Sequence, residues 1–311
     1  MLKERVMKPV AIIVGSDGQD GQLLKKKLKS IDYSIVGITK NTIDITNPKQ
    51  VSKLISKTKP KEIYFLAAFH HSSEEDINND RELFCRSIDI HVTATVNFLD
   101  AITFHSPLSR FFYSSSCLVF APSDVLQSEY TELKPDGPYG ISKAAGMLAC
   151  QYYRENKKVY ASIGILYNHE SSLRAKNFVS RKIISSAARI ARERKGHLKL
   201  GNLEAQVDWG YAPDYVDAMH RILKLDKPSD FIVATGESHS VNEFSEIAFS
   251  YFGLDHRKYV ETDKSILVRE NLMRIGDSSR LRKATGWSPT ISFDAMVRKM
   301  AKEEAELKNE E

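Results

Sequence analysis

The sequence predicts an α/β protein whose core is a doubly wound parallel sheet, with a smaller α/β lobe toward the C-terminus. Three observations support this prediction. Short strand-like segments rich in β-branched residues alternate with helical segments through residues 1–170, which is typical of a parallel sheet covered by helices. The first strand segment, "VAIIV", runs directly into a glycine-rich turn. The fourth, "SRFFYSSS", ends in three serines, at the sheet edge where ligands bind.

The strands and helices of the first part can be assigned in order. Each strand segment is a short apolar run, as expected of strands buried on both faces: "VAIIV", "YSIVGITK", "KEIYFLAAF", "SRFFYSSS" and "VYASIGILYN". The segments between them carry apolar residues at helical spacing: "GQLLKKKLKS", "NPKQVSKLISKT", "IDIHVTATVNFLDAITFH" and "PYGISKAAGMLACQYYREN".

From Asn168 onward the alternation loosens into helices with short strands between them, such as "LKLG" and "DFIVATG". We therefore divide the chain into residues 1–167, which form the sheet domain, and residues 168–311, which form the smaller lobe. No Gly/Ser-rich linker separates the two, so they are expected to pack as one unit. The division leaves room for the chain to cross between the lobes.

Composition excludes several functional classes. The 311 residues carry a net charge of +5, from 45 Lys and Arg against 40 Asp and Glu. Without basic residues clustered among aromatics, this surplus predicts no nucleic-acid partner. Three cysteines without CxxC spacing predict neither disulfides nor a metal site. Because no apolar run reaches the roughly 20 residues of a membrane span, and the N-terminus does not resemble a signal peptide, we expect a cytoplasmic protein that does not bind membranes.

A glycine turn follows the first strand. Gly15, Gly18 and Gly21 have the spacing GxxGxxG in "VGSDGQDGQLL". In this position the first glycine allows a tight turn, the second lets backbone N–H groups approach a pyrophosphate, and the third lets the helix pack closely. The turn, with Gln19 and Asp20 inside it, therefore predicts a Rossmann sheet that binds a dinucleotide cofactor, NAD or NADP.

The end of the second strand leaves the choice between NAD and NADP open. An acidic residue there would bind the ribose of NAD, but "VGITKNT" has none. Lys40 either binds the 2′-phosphate of NADP or is a solvated loop lysine. Asp44 and Ile45 follow, in "TIDITN", and are predicted to lie at the adenine end of the cofactor.

Tyr139 and Lys143 are four residues apart in "PYGISKAAG", so they share a face of a helix. A phenol normally titrates at about 10, and a lysine ammonium beside it, with a nicotinamide cation nearby, favours the phenolate. Tyr139 is therefore predicted to exchange a proton with a substrate hydroxyl while hydride moves at the same carbon. Lys143 is also predicted to hold the ribose hydroxyls of the cofactor.

These motifs together resemble the extended short-chain dehydrogenases/reductases, in particular the nucleotide-sugar epimerase and dehydratase group. The resemblance covers nearly the whole chain. It implies that Ser116 completes a catalytic triad with Tyr139 and Lys143. It also implies that Leu66, Ala67 and Ala68 of "FLAAFHH" lie on the cofactor side of the third strand.

The second half is similar to GDP-mannose 4,6-dehydratases in "GILYNHESSLRAKNFVSRKI", "LGNLEAQVDWGYAPDYVDAM", "FIVATGESHSVNEF" and "IGDSSRLRKATGWSP". The resemblance implies that this half binds a GDP-sugar. In "VRENLMRIGD" the family's Arg-Pro-x-Glu element is contracted, and its arginine corresponds to Arg269. The substrate-binding residues that the resemblance implies are Asn168, Glu170, Asn177, Arg181, Lys182, Gly201, Asn202 and Arg269.

The chain departs from this family at the base of the reaction. The 4,6-dehydratases place Ser-Glu after the triad Ser/Thr, and that Glu removes the C5 proton; here Cys117 and Leu118 stand in those places. Hydride transfer at C4 of the sugar is then the leading hypothesis, with Cys117 and Leu118 lining the substrate site. Two alternatives stay open. One is a 4,6-dehydratase with a displaced base from "HHSSEED" or Glu129, and the other is a catalytically silent nucleotide-binding scaffold.

The long basic cofactor loop that the family carries after the second strand is also missing. Because that loop helps to build tetramers in the family, we expect a homodimer instead. Its interface would form through the helices of "FCRSIDIHVTATVNFLD" and "YGISKAAGMLACQYY".

Overall fold

The structure is a computed structural model that describes residues 8–69, 80–266 and 273–307. The strands are β1 (Val10–Val14), β2 (Ser34–Ile38), β3 (Glu62–Phe65), β4 (Arg110–Ser116), β5 (Tyr160–Leu166), β6 (Asn168–Glu170), β7 (Leu198–Leu200), β8 (Gln206–Val207), β9 (Trp209–Tyr211), β10 (Asp230–Val233), β11 (His239–Ser240) and β12 (Val260–Thr262).

The helices are α1 (Gln19–Ser30), α2 (Pro48–Thr58), α3 (Asp80–Ile88), α4 (Ala94–His105), α5 (Pro138–Asn156), α6 (Val179–Glu193), α7 (Ala212–Ile222), α8 (Val241–Tyr251), α9 (Ser279–Thr285) and α10 (Phe293–Leu307). The sequence predicts a single helix over "IDIHVTATVNFLDAITFH". In the structure, α3 instead continues through a π-helical turn, Asp89–Thr93, into α4.

Among the described residues the central sheet has six parallel strands, in the order β2-β1-β3-β4-β5-β10. The strand order reverses at β1, because β2 lies on one side of it and β3 on the other. Val14 is in register with both Ile38 and Phe65, so the turns that follow these strands open at the same edge. Ligands bind at such a reversal point in doubly wound sheets.

The sheet is covered on both faces, as its uniformly apolar strands predict. One face packs against α2, α4 and α5 through a core that includes the fully buried Ile63, Phe98 and Phe111. The other face packs against α1 and α7, around Phe112 and Met219. The predicted fold class, a doubly wound parallel sheet, is confirmed.

A second core, which includes Ile184, Trp209 and Phe244, joins α6, α8 and α10 in the smaller lobe. The chain crosses back to the sheet after residue 168, because β10 pairs in parallel with β5 and α7 packs against α1. The segment "DFIVATG", which the sequence assigns to the smaller lobe, is therefore the edge of the central sheet. Its apolar residues Phe231, Ile232 and Val233 are buried there.

No helix in the described ranges is both long enough and apolar enough to cross a membrane. The same ranges hold no group of three or more His, Cys, Asp or Glu side chains arranged to bind a metal ion. Cys85 is exposed, whereas Cys117 and Cys150 are buried, and all three are free thiols.

Candidate active site

The glycine turn after β1 has the close contacts that its sequence predicts. Gly15 has a φ of +87°, and a Cβ on it would lie 2.9 Å from the backbone nitrogen of Ala67. A Cβ on Gly21 would lie only 2.3 Å from the carbonyl oxygen of Gly15, so α1 starts directly against the turn. At Gly18, the N-cap of α1, a Cβ would make an ordinary contact, 3.5 Å from the carbonyl oxygen of Gly15. This cradle at a helix N-terminus fits the diphosphate of a dinucleotide.

The serines at the end of β4 turn toward different partners. The hydroxyl of Ser114 donates to the carbonyl of Phe65 (3.0 Å) on the neighbouring β3. Ser116 is half-buried, and its oxygen accepts from the backbone N–H of Leu118 at 3.3 Å. This bond caps a short 3₁₀ turn over Cys117–Val119. The turn therefore fixes where the side chains of Cys117 and Leu118 begin.

Helix α5 brings Tyr139 and Lys143 to this turn. Pro138 occupies its first position, which suits a residue without an N–H group. A Cβ on Gly140 would lie 2.3 Å from the carbonyl oxygen of Leu118, so the start of α5 rests on the turn that follows Ser116. The Nζ of Lys143 donates to the carbonyl of Ser114 at 2.7 Å and lies 5.7 Å from the Tyr139 ring centroid. The structure thus brings together all three predicted catalytic residues.

The protonation of this pair depends on burial as well as on charge. The sequence predicts that Lys143, together with a nicotinamide cation, favours the phenolate of Tyr139. In the structure, burial raises the pKa of Tyr139 above its ordinary value, while the charge of Arg174 partly opposes the shift. Burial likewise lowers the pKa of Lys143 to about 7. Both shifts have the same cause, because a low-dielectric surrounding disfavours the charged form of either group.

The residues predicted to bind the rest of the cofactor lie around the same sheet edge. The backbone N–H of Leu66 donates to the carbonyl of Val14 (2.9 Å), which fixes the start of the Leu66–Ala68 segment beside the glycine turn. Lys40 is exposed beyond β2. The exposed carboxylate of Asp44 accepts from both the backbone and the hydroxyl of Thr46, and the carbonyl of Ile45 accepts from Asn97 at 3.1 Å.

Gln19 and Asp20 contact the smaller lobe. The Gln19 amide donates to the carbonyl of His169 at 3.1 Å and accepts from the hydroxyl of Ser171 at 2.8 Å. The carboxylate of Asp20 bonds the His169 ring at 2.9 Å, and that ring stacks on Tyr215 with centroids 4.5 Å apart. The sequence predicts roles for Asn168 and Glu170 but none for the histidine between them, although "NHES" places all three in one motif.

The residues predicted to bind the substrate do not all face the cleft. Glu170 is buried and accepts from Ser180 at 2.6 Å, with Arg174 at 3.6 Å. Lys182 is half-buried on α6 and Gly201 is buried beyond β7. Three amides are exposed: Asn168, Asn177 and Asn202. Arg269 lies outside the described residues, as does the "HHSSEED" segment that was one candidate source of a base.

Arg181, which the resemblance places among the substrate-binding residues, lies inside the smaller lobe. Its side chain is 4% exposed, and its Nη2 lies 2.8 Å from the carboxylate of Glu304. The guanidinium thus links α6 to α10 inside the smaller lobe. Glu129, the other candidate base, accepts from the backbone N–H of Ile232 at 2.9 Å. Its carboxylate is therefore engaged at the edge strand β10.

Fold and site together define a Rossmann-type protein of the short-chain dehydrogenase/reductase class, with the Ser–Tyr–Lys set of its nucleotide-sugar epimerase and dehydratase group. More narrowly, the chain belongs to the GDP-mannose 4,6-dehydratase family. Residues 40–300 match the family model described as GDP-mannose 4,6 dehydratase.

Individual relatives agree with this assignment. GDP-mannose 4,6 dehydratase 2 of Arabidopsis thaliana is 33% identical over 334 residues, which cover 97% of this chain and 88% of that protein. The human GDP-mannose 4,6 dehydratase is 30% identical over 353 residues, covering 96% and 92% of the two chains. The predicted family of nucleotide-sugar enzymes is thereby confirmed.

Solved structures share the fold at lower identity. RMD from Pseudomonas aeruginosa, complexed with NADPH, superposes with a TM-score of 0.83 at 19% identity, covering 96% of this chain and all (100%) of that one. The dTDP-glucose 4,6-dehydratase of Bacillus anthracis, in complex with NAD, gives a TM-score of 0.80 at 17% identity, with 97% of each chain covered.

Proposed function

We propose that this protein is an NAD(P)-dependent enzyme that transfers hydride at C4 of a GDP-mannose-type hexose or heptose. It would act as a 4-dehydrogenase or, in reverse, as a 4-ketoreductase. The family supports a GDP-sugar substrate, since the relatives are GDP-mannose dehydratases. The fold supports the cofactor, since structural neighbours hold NADPH or NAD, and the glycine cradle of this chain has the shape that such a cofactor needs.

The described residues supply the proton chemistry of this step. When bound, the nicotinamide would accept hydride from C4 or return it. The phenol of Tyr139 would exchange the proton of the C4 hydroxyl, and the Ser116 hydroxyl would hold that oxygen in place. Lys143 is anchored on Ser114 at 2.7 Å, where its ammonium can stabilise the phenolate once the site is filled.

The observation that carries the proposal is the apolar side chain of Leu118. It begins in the 3₁₀ turn that the Ser116 oxygen caps and that Gly140 contacts, so it lies beside the catalytic set. A leucine cannot abstract the C5 proton that elimination of water requires. The reaction that remains is oxidation or reduction at C4, which needs no carboxylate.

Carboxylates close to this site are already engaged. Asp20, whose charge acts on Tyr139, bonds the His169 ring. Asp136 pairs with Arg274 at 3.1 Å. Asp208, whose charge acts on Cys117, accepts from Thr235, Gly236 and Gly276. Among the described residues, these three side chains are therefore held by other groups and are poor candidates for a displaced base.

The test is incubation of the purified protein with GDP-mannose or a GDP-heptose and each oxidised cofactor, followed by mass analysis of the sugar nucleotide. Loss of two hydrogens with appearance of reduced cofactor would support C4 oxidation. Loss of water would instead identify a 4,6-dehydratase with a displaced base. Unchanged sugars in both reaction directions, with the 4-keto sugar and reduced cofactor tested as well, would favour the scaffold. Mass analysis of nucleotide released from the denatured protein would distinguish NAD from NADP.

The assembly we propose is a homodimer. Helices α3 and α5 expose a set of large apolar side chains that a monomer would leave in water: Phe84 at 37%, Ile141 at 39%, Leu148 at 56% and Tyr152 at 53% exposure. Exposed apolar side chains on two helices that pack together are typical of protein interfaces. Light scattering on the purified protein should give the mass of two chains, and Leu148→Lys with Tyr152→Lys should reduce it to one. A monomeric wild type would contradict this proposal.

A further inference from the structure

His91 is fully buried in the π-helical turn that joins α3 to α4. Such turns insert one extra residue into a helix and often occur at functional sites. The carbonyl of His91 accepts from the hydroxyl of Thr95 at 2.9 Å and from that of Tyr113 at 3.2 Å. Both of these bonds end on the backbone carbonyl of His91, and separate partners engage its ring.

The ring joins the cofactor side of the site to the helix of Tyr139. The backbone N–H of Phe69, next to Ala68, donates to Nε2 of His91 at 3.0 Å. Because Nε2 accepts, the ring proton is on Nδ1, which donates to the hydroxyl of Ser142 at 2.8 Å. The Ser142 hydroxyl in turn donates to the carbonyl of Tyr139 at 2.9 Å.

His91 also touches Tyr139 directly. The two rings meet edge to face, with centroids 5.1 Å apart and an interplanar angle of 84°. Helix α5 can come this close because residue 146 is a glycine: a Cβ there would lie 2.6 Å from the carbonyl oxygen of His91 and 2.1 Å from the hydroxyl of Tyr113. Gly146 thus lets α5 approach His91, and the contact itself is made by the His91 and Tyr139 rings.

We propose that His91 is a positioning residue for hydride transfer, which holds the Tyr139 ring at a fixed place relative to the cofactor-side segment 66–69. This inference rests on the proposed function of Tyr139. Its physical basis is that proton transfer requires a near-attack geometry, and a displacement of about 1 Å can cost on the order of 10²-fold in rate. The hydrogen bonds that run from Phe69 through His91 and Ser142 to Tyr139 form a relay. This relay connects the position of Tyr139 to the segment on which the cofactor would lie.

Three variants separate positioning from general stability. His91→Phe keeps a buried ring beside Tyr139 but removes both hydrogen bonds of the relay. Ser142→Ala removes the hydroxyl that links the His91 ring to the Tyr139 carbonyl and keeps the His91 side chain. Thr95→Val is the matched control, since it also removes a buried hydrogen bond to His91, but at the backbone carbonyl instead of the ring.

We expect kcat to fall roughly 10- to 100-fold in His91→Phe and Ser142→Ala, with KM and cofactor affinity within about twofold of wild type. Thr95→Val should keep the wild-type kcat. His91→Asn, which retains a donor toward Ser142, should recover part of the lost rate. The inference is overturned if His91→Phe and Ser142→Ala both turn over like Thr95→Val, or if Ser142→Ala raises KM and leaves kcat unchanged.

A measurement that needs no substrate keeps this inference separate from the proposed function. In protein labelled with ¹³C at the tyrosine Cζ, the Tyr139 resonance can be assigned by its loss in Tyr139→Phe. It should shift or broaden in His91→Phe and Ser142→Ala and stay in place in Thr95→Val. If the wild type transferred no hydride, the proposed function would fail while this resonance still tested His91. An identical Tyr139 signal in all three variants would refute the positioning role.

Discussion

His169 and Asp20 form a partly buried ion pair that joins the smaller lobe to the glycine turn. Nε2 of the ring lies 2.9 Å from the Asp20 carboxylate, while Nδ1 lies 2.7 Å from the carbonyl of Tyr167. Both partners accept hydrogen bonds, so this arrangement favours a ring with a proton on each nitrogen. The ring is stacked on Tyr215, and its charged form makes an ion pair with Asp20 at the point where the two lobes meet.

The first prediction concerns stability as a function of pH. Burial lowers the pKa of His169, but the charge and hydrogen bond of Asp20 outweigh it, against a smaller opposing effect of Arg174, and the pKa is raised above 6.5. A raised histidine pKa stabilises the fold fully below about 6.5, and the contribution is lost as pH rises through the folded-state value. The melting temperature should therefore fall as pH rises through that window.

The matched comparison for this prediction is His169→Gln, which retains polar groups but cannot titrate. We expect this variant to lack the pH-dependent component of stability above 6.5 that the raised pKa of His169 predicts for the wild type. Asp20 adds a second pH dependence of stability at acid pH, because its pKa is lowered below 3.8 despite burial. The stabilisation that Asp20 provides is lost as pH falls through its folded-state pKa. If the melting temperatures of wild type and variant change equally with pH above neutral pH, the pair of His169 and Asp20 does not contribute a pH-dependent stabilisation.

The second prediction concerns Tyr139. Replacing it with Phe removes the phenolic proton while keeping the ring against His91. We expect hydride transfer to fall by roughly 10²–10⁴-fold, with bound nucleotide retained. Tyr130→Phe is the control, because that residue is 86% exposed. Single-turnover reduction of the cofactor measures the rate, and near-wild-type transfer in Tyr139→Phe would remove it from the catalytic set.

The third prediction concerns the buried pair of Arg181 and Glu304, which are 4% and 2% exposed. Arg181→Met should lower the free energy of unfolding by about 3–5 kcal/mol, because it leaves a buried carboxylate without its partner. Arg181→Met combined with Glu304→Met should recover most of that loss, as paired buried charges contribute little over apolar replacements. Urea unfolding measures both. If Arg181→Met is as stable as the wild type and has a raised KM for the GDP-sugar, this prediction is wrong and Arg181 contacts the substrate.

The fourth prediction concerns Gly21. A Cβ at this position would lie 2.3 Å from the Gly15 carbonyl oxygen and 2.7 Å from Cα of Ser16. Gly21→Ala should therefore separate α1 from the turn, cost roughly 1–3 kcal/mol of stability, and reduce the amount of nucleotide that copurifies. Gly137→Ala, where a Cβ meets nothing within 4 Å, is the control. Equal nucleotide content in both variants would show that the turn does not need a glycine there.

Local chemistry explains why some of the site could be predicted from the sequence. The glycine turn depends on residues that are close in the chain, from Gly15 to Gly21, and its φ and close contacts restrict those positions directly. The Tyr139–Lys143 spacing similarly follows from one helix. The pKa of Tyr139 could not be predicted in the same way, because it depends on burial by several elements.

Long-range pairing explains what the sequence could not predict. The partner of Arg181 is Glu304, 123 residues further along the chain, so the arginine resembles a solvated helix charge. The π-helical turn at His91 lies within an apolar helical segment whose periodicity does not mark it. Strand β10 is only four residues long, and its place beside β5 depends on how the chain crosses between the lobes.

In the reaction we propose, the C5 proton stays in place because Leu118 cannot act as a base, and a reaction in D₂O tests this directly. The wild type, a GDP-mannose substrate and oxidised cofactor would be incubated in D₂O, and the product examined by mass and NMR. Leu118→Glu serves as the comparison, since it adds a partly desolvated carboxylate whose pKa should rise toward that of a base. The account predicts a C4-oxidised product without enzymatic deuterium at C5 for the wild type, and weak dehydration with deuterium at C5 for Leu118→Glu. A 4-keto-6-deoxy product carrying C5 deuterium, formed by the wild type at ordinary enzymatic rates, would contradict it.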